Sequence, residues 1–79
     1  GIGQVAEYVS GLFQSFARLA ESPEIGQLRD ELRPGLRILL HEQHYFICYR
    51  VHDDEVQILR VVHTRRNLAR QIARLRDPQ

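Results

Sequence analysis

Residues 36–67 read LRILLHEQHYFICYRVHDDEVQILRVVHTRRN. Three runs in this stretch, 36–41, 44–51 and 55–63, are rich in β-branched, aromatic and large aliphatic residues, which predicts strands. The links between them, Glu42-Gln43 and His52-Asp53-Asp54, are of hairpin length, so the strands are expected to be antiparallel. Period-two alternation puts Leu36, Ile38 and Leu40 on one face of the first strand. In the second strand Tyr45, Ile47, Tyr49 and Val51 oppose Phe46, Cys48 and Arg50, and in the third Val56, Ile58 and Val62 oppose Leu59 and Val61. The central strand is thus apolar on both faces, and one helix covers only one face of a sheet. The other face is expected to need a partner or a missing element, because the helix that follows the sheet is short and basic.

Upstream, Ile2, Val5, Val9, Leu12, Phe13, Phe16 and Leu19 keep to one helical stripe, predicting a helix over 2–21 that packs on the sheet. Gly11 costs about 1 kcal/mol relative to Ala inside a helix, so close approach of another segment is expected there. Ser22-Pro23 ends the helix, since the residue before proline avoids the α region. Gly1-Ile2-Gly3 lacks the preceding strand and third glycine of a dinucleotide fingerprint. Residues 23–35 read as a polar connection tethered by Leu28 and Leu32, with Pro34-Gly35 at the centre of a type II turn. Downstream, Leu68, Ile72 and Leu75 predict a helix over 67–76, with Asn67 as its cap and Arg66, Arg70, Arg74 and Arg76 around the rest of its circumference. The expected fold class is α+β. A long N-terminal helix packs on a three-stranded antiparallel sheet, and a short C-terminal helix follows, all in a single domain over 1–79.

A chain of 79 residues buries only roughly 60% of its unfolded surface, so a core of this size needs support. The single cysteine, Cys48, excludes an internal disulfide and suits a reducing compartment; no Cys/His set has zinc-finger spacing. Support is therefore expected from a protein partner. No apolar run is long enough to span a membrane, and no signal-peptide pattern is present. The net charge of +1 makes no global case for nucleic acid. The 11 cations are all Arg, however, and Arg60, Arg65, Arg66, Arg70, Arg74 and Arg76 fall within the last 20 residues, where Asp77 is the one acid. Arg grips carboxylates and phosphates bidentately where Lys does not. A solvated helix face would carry the same residues. The absence of Met and the start at Gly1 suggest a processed chain, a truncated one, or a piece of a longer protein.

Three constellations bear on chemistry. His41, Glu42, His44, His52, Asp53 and Asp54 could be taken for metal ligands, but their spacing fits ordinary hairpin tips better. Cys48 on an apolar strand reads as packing rather than as a nucleophile. His63, Arg65 and Arg66 follow the last strand, and Arg37, Arg50 and Arg60 come from the three strands and are expected to line up across the sheet. Such a set could stabilise phosphoryl transfer in RNA cleavage, or pair with an acidic partner.

Arg33-Pro34-Gly35-Leu36-Arg37, Tyr45-x-x-x-Tyr49-Arg50-Val51, Val56-x-Ile58-Leu59-Arg60-Val61-Val62-His63 and Arg65-Arg66-Asn67 together resemble the C-terminal half of ParE-type toxins, in the RelE/ParE superfamily of bacterial toxin–antitoxin modules. Phe16 to Gly26 is similar to that family's second helix and the loop after it. The resemblance implies a cytoplasmic toxin without cofactor or metal, held inactive in a tight complex by a cognate antitoxin. Higher-order assembly is open to it, and neither membrane association nor sequence-specific nucleic-acid binding is implied. In the ParE branch it implies inhibition of DNA gyrase, in the RelE branch ribosome-dependent mRNA cleavage. Phe46 stands where the RelE branch has a basic residue, no Tyr follows residue 49, and no Lys occurs, so binding without nuclease chemistry is expected. A non-toxic interaction domain is the remaining alternative. The residues expected to bind antitoxin or target are Arg37, Phe46, Arg50, Arg60, His63, Arg65 and Arg66. The family's N-terminal strand and first helix have no counterpart in these residues, which implies a truncated form and an apolar surface too large for this chain.

Overall fold

The computed structural model of the chain describes residues 2–75, with side chains from residue 11 onward. Helix α1 (Ile2–Glu21) leads into a single 3₁₀ turn at Pro23–Ile25. Strands β1 (Gln27–Leu28), β2 (Arg37–His41), β3 (Tyr45–His52) and β4 (Glu55–His63) follow, and then helix α2 (Leu68–Ala73). The class is α+β. The sheet runs β1-β2-β3-β4 with every neighbouring pair antiparallel. Among the described residues it has four strands, not three. Gln27 and Leu28 pair with Ile38 and Arg37, and the Arg29 amide extends the pairing to the Leu36 carbonyl at 2.8 Å. Two exposed residues carry no readable alternation, so β1 exists only because β2 offers it an edge. Leu28 accordingly lies 46% exposed instead of tethering the connection.

The turns follow from local chemistry. Gly35 has φ +77°, and the Leu36 amide donates to the Arg33 carbonyl at 3.0 Å, closing the expected type II turn. The Asp30 carboxylate accepts the Gly35 amide proton. Asp53 and Asp54 both have positive φ between the paired His52 and Glu55, a two-residue turn of the twist that suits a hairpin. Glu42 and Gln43 also have positive φ, and His44 lies in the turn, with the ladder resuming at Tyr45. Asn67 caps α2, its side chain accepting the Arg70 amide proton at 3.0 Å.

One bulge reorders the faces. Cys48 pairs with Arg60 but Tyr49 pairs with Ile58, so Leu59 is an extra residue in β4. Strict alternation grouped Val62 with Val56 and set Val61 with Leu59. The inserted residue exchanges them. Val61 now joins Val56 beneath α1, around the fully buried Leu19, Ile47 and Tyr49, with Leu12, Phe16 and Leu39. Val62 joins Leu59 on the opposite face, around Leu36, Ile38, Cys48 and Ile72.

That opposite face is covered within the chain. Leu68, Ile72 and Leu75 pack against it, joined by Leu32, while Arg70 and Arg74 point to solvent. Burying Ile72 alone contributes about 2 kcal/mol. The Arg33 guanidinium donates to the Leu75 carbonyl at 3.1 Å and ties the helix end to the turn before β2. A short basic helix therefore serves, because Leu68 and Ile72 share one side and Leu75, just past its end, packs with them. The expectation that this face awaits a partner or missing element is corrected to that extent. Leu40, Val51 and Ile58 remain partly exposed, and Phe13 is 64% exposed, touching Phe16 edge-to-face instead of entering the core. No helix among the described residues is long and apolar enough to cross a membrane.

Candidate functional site

The end of β4 and the turn into α2 bring three of the expected residues to one place. Arg60, His63 and Arg66 line an open cleft of about 330 Å³, together with Tyr45, Val61, Val62 and Gln71. The register explains the convergence. Tyr45 is the partner of His63 across the β3–β4 pair, and their rings meet edge-to-face at 5.1 Å. A turn at residues 64–66, closed by the Arg66 amide on the His63 carbonyl at 2.9 Å, returns Arg66 toward the strand. Gln71, 5% exposed, reaches the cleft from α2. Tyr45 and Gln71 line the cleft without being among the residues expected from the sequence. The signal for Tyr45 was its register opposite His63; that for Gln71 was a polar residue beside the apolar stripe of α2.

His63 is held in one tautomer. Its Nδ1 accepts the Arg65 amide proton at 3.1 Å, so the proton of the neutral ring sits on Nε2. Among the described residues no acidic side chain pairs with Arg60 or Arg66. The lining thus offers hydrogen-bond donors and positive charge, which is the chemistry of an anion site.

The other expected residues lie elsewhere. Arg37 donates to the Gly26 carbonyl at 2.8 Å and the Glu24 carbonyl at 3.3 Å, fastening the 3₁₀ turn to β2. Arg50 donates to Gln57 Oε1 at 2.7 Å across the β3–β4 pair. The expected row of Arg37, Arg50 and Arg60 does not form. Arg37 faces Tyr49 under α1, whereas Arg60 faces Cys48 on the other side of the sheet. Phe46 is half-buried between Leu40 and Val62, packed on the core beneath α2. Arg65 is exposed and does not line the cleft.

His41 is buried at 6% exposure, with Nδ1 2.9 Å from the Ser15 hydroxyl and Nε2 3.8 Å from a Glu42 carboxylate oxygen. These residues line a smaller recess of about 240 Å³ with Gly11, Gln14 and Arg18. His44 lies apart from it, its ring 6.4 Å from that of His63. Cys48 is fully buried, and burial pushes its thiol up to about 11 while nearby Arg60 pulls the other way. That is an inert packing thiol.

The model of the ParE toxin family of type II toxin–antitoxin systems (parDE) matches residues 1–68. The chain belongs to the ParE toxin family. It is 32% identical over 74 residues to toxin ParE3 of Caulobacter vibrioides, covering 94% of this chain and 73% of that protein. Toxin ParE1 of Mycobacterium tuberculosis is 31% identical over 72 residues, 91% of this chain and 74% of its own length. Toxin ParE of Escherichia coli is 32% identical over 73 residues, 92% of this chain and 71% of its own. No solved structure matches the chain. The ParE match ends one residue into α2, so it takes in Arg60, His63 and Arg66 but not Gln71.

Proposed function

We propose that this ParE-family chain acts in the cytoplasm by binding its target, DNA gyrase, and is neutralised by a cognate antitoxin in a tight complex. The observation that carries the reading is the cleft at the end of β4. Arg60, Arg66 and His63 present donors and positive charge there with no internal counter-charge among the described residues. Such a surface suits docking of an acidic protein segment. Among the described residues β4 is at the edge of the sheet, where a strand from a partner would extend it. No covalent step is assigned to it. Phe46, half-buried, offers no proton or charge to a reacting phosphate, so catalysis is not part of the reading.

A second reading, ribosome-dependent mRNA cleavage, draws on the same His63, Arg60 and Arg66 as donors to phosphate. One pair of assays separates the two. Added to gyrase and relaxed plasmid, the protein should block supercoiling, and the cognate antitoxin should restore it. Unimpaired supercoiling together with codon-phased mRNA cuts on translating ribosomes would replace the gyrase reading with the nuclease one. Neither effect, with normal growth on induction, would leave a non-toxic interaction domain.

A further inference from the structure

We infer that His41 and Glu42 form a site for one first-row divalent metal ion of the Zn²⁺ kind, in the recess between α1 and the β2–β3 turn. The site lies apart from the Arg60–His63–Arg66 cleft and is independent of the gyrase reading. The first observation is an orphaned atom. His41 is 6% exposed, and its Nε2 is buried with no hydrogen-bond partner among the described residues. Buried polar atoms are almost always paired, so this one calls for a group supplied from outside the chain. His41 lines the recess with Gly11, Gln14, Arg18 and Glu42, which gives such a group a place to sit.

The second observation is how the ring is held. Its Nδ1 lies 2.9 Å from the Ser15 hydroxyl. A hydroxyl accepts a hydrogen bond as readily as it donates one, so Ser15 can take the Nδ1 proton and leave the Nε2 lone pair for a metal. Metal-ligating histidines are commonly oriented through their other nitrogen in this way. The third observation is a distance. Nε2 is 3.8 Å from Glu42 Oε2. A direct hydrogen bond needs about 2.7–3.2 Å, and a water bridging the two would need roughly 5.5 Å. Two metal bonds of about 2.0–2.2 Å each span up to roughly 4 Å, which fits the gap. The Glu42 side chain is 68% exposed, so its carboxylate can turn to complete the bond. A Cβ at Gly11 would stand 3.7 Å from Nε2 and 3.8 Å from Glu42 Oε1, so glycine there leaves the approach to both groups open.

The donor set selects the ion. One imidazole and one carboxylate suit zinc, copper or nickel better than magnesium or calcium, which favour oxygen alone. Gln14 adds a side-chain carbonyl to the same recess. His44, which spacing grouped with His41, takes no part, since its ring lies beside that of His63. Arg18 also lines the recess, and its charge opposes a cation and favours an anion. The position of the orphaned nitrogen decides between them. An anion on Nε2 would sit against the Glu42 carboxylate, whereas a cation there lies between two groups that each offer it a lone pair.

The test is calorimetric titration of the whole chain with Zn²⁺ alone, with the His41 ring nitrogens followed by NMR. The wild type should bind with a Kd in roughly the micromolar range, and the His41 Nε2 signal should move. His41→Gln should abolish binding. Glu42→Gln changes an exposed side chain while keeping its shape, so it serves if His41→Gln fails to fold; it should weaken binding at least about tenfold by removing an anionic ligand. Arg18→Gln should tighten binding about threefold, because a like charge is removed. His52→Gln breaks the exposed His52–Asp53 pair at the other hairpin tip and should stay within about twofold of the wild type. No movement of the Nε2 signal at about 1 mM ion, or an equal loss in His52→Gln and Glu42→Gln, would overturn the site. Inorganic phosphate that moves the same signal, lost in Arg18→Gln and kept in Glu42→Gln, would overturn it in favour of an anion.

Discussion

The Tyr49 hydroxyl accepts the Gly26 amide proton at 2.8 Å and donates its own proton to the Pro23 carbonyl at 2.5 Å, from a ring that is fully buried. One phenol on the central strand thus fixes both ends of the 3₁₀ turn that connects α1 to the sheet. Tyr49→Phe would strip a donor and an acceptor from groups already withdrawn from water. The loss should be about 1–3 kcal/mol, read as a lower midpoint in urea at unchanged m. An unchanged midpoint would mean that water satisfies the turn equally well.

Gly26 is required there by space, not by backbone conformation. Its φ is −74°, open to any residue, but a Cβ would lie 2.4 Å from the Tyr49 hydroxyl oxygen and 2.5 Å from its ring. The ring is walled in by Leu19 and Ile47 and cannot retreat freely. Gly26→Ala should therefore destabilise by at least about 1–3 kcal/mol through overpacking. In the Tyr49→Phe background the cost should shrink only partly, since the ring edge stays. Additive losses measured by a double-mutant cycle would contradict contact between the two.

Much of this architecture is legible from local signals. Pro34-Gly35 and Asn67 act through neighbours a few residues away, and the turn at Gly35 and the cap on Arg70 follow from residue type alone. The meander order follows from short links. What depends on distant partners is not written locally. β1 needs the edge of β2, and the Leu59 bulge shows only in the register against β3. Coverage of the second face turned on whether three apolar residues outweigh the arginines of α2. At the candidate site, Arg60, His63 and Arg66 are close in sequence and meet in space. Arg37 and Arg50 are spent on internal acceptors, which no composition reveals.

Cys48 adds an alkaline dependence. Its thiol is raised from 9.0 to about 11 by burial, so the unfolded chain releases this proton first. Stability is therefore full below about pH 9 and falls as pH rises toward 11, by about 1–2 kcal/mol. The Tyr49 phenol, also pushed up chiefly by burial, acts in the same direction. Urea midpoints measured from pH 8 to 11 should decline, and Cys48→Ala should flatten part of the decline while lowering the starting value. Below pH 9 a thiol-alkylating reagent should modify Cys48 only on unfolding.

Gly11 faces the opposite test from Gly26. A Cβ there would meet the His41 ring at 3.6 Å and Glu42 at 3.8 Å, ordinary contact distances, and the position lies inside α1. Gly11→Ala should raise stability by about 0.5–1 kcal/mol, because alanine loses less backbone freedom in a helix. A loss instead would show that the His41 ring, held by Ser15, has no room to yield.

Asn67 links the stability of α2 to the geometry of the cleft. The helix is six residues long, too short to persist without its cap and its packing. Asn67 satisfies the Arg70 amide, and the next turn carries Gln71 into the cleft and Ile72 into the core. Asn67→Ala should cost about 1 kcal/mol. The loss should concentrate in α2, because β3 and β4 hold each other through their own ladder. Amide hydrogen exchange should then accelerate at 70–74, with the amides of 45–50 unaffected beyond the global change. Uniform acceleration across sheet and helix would instead mean that α2 opens only with the whole domain.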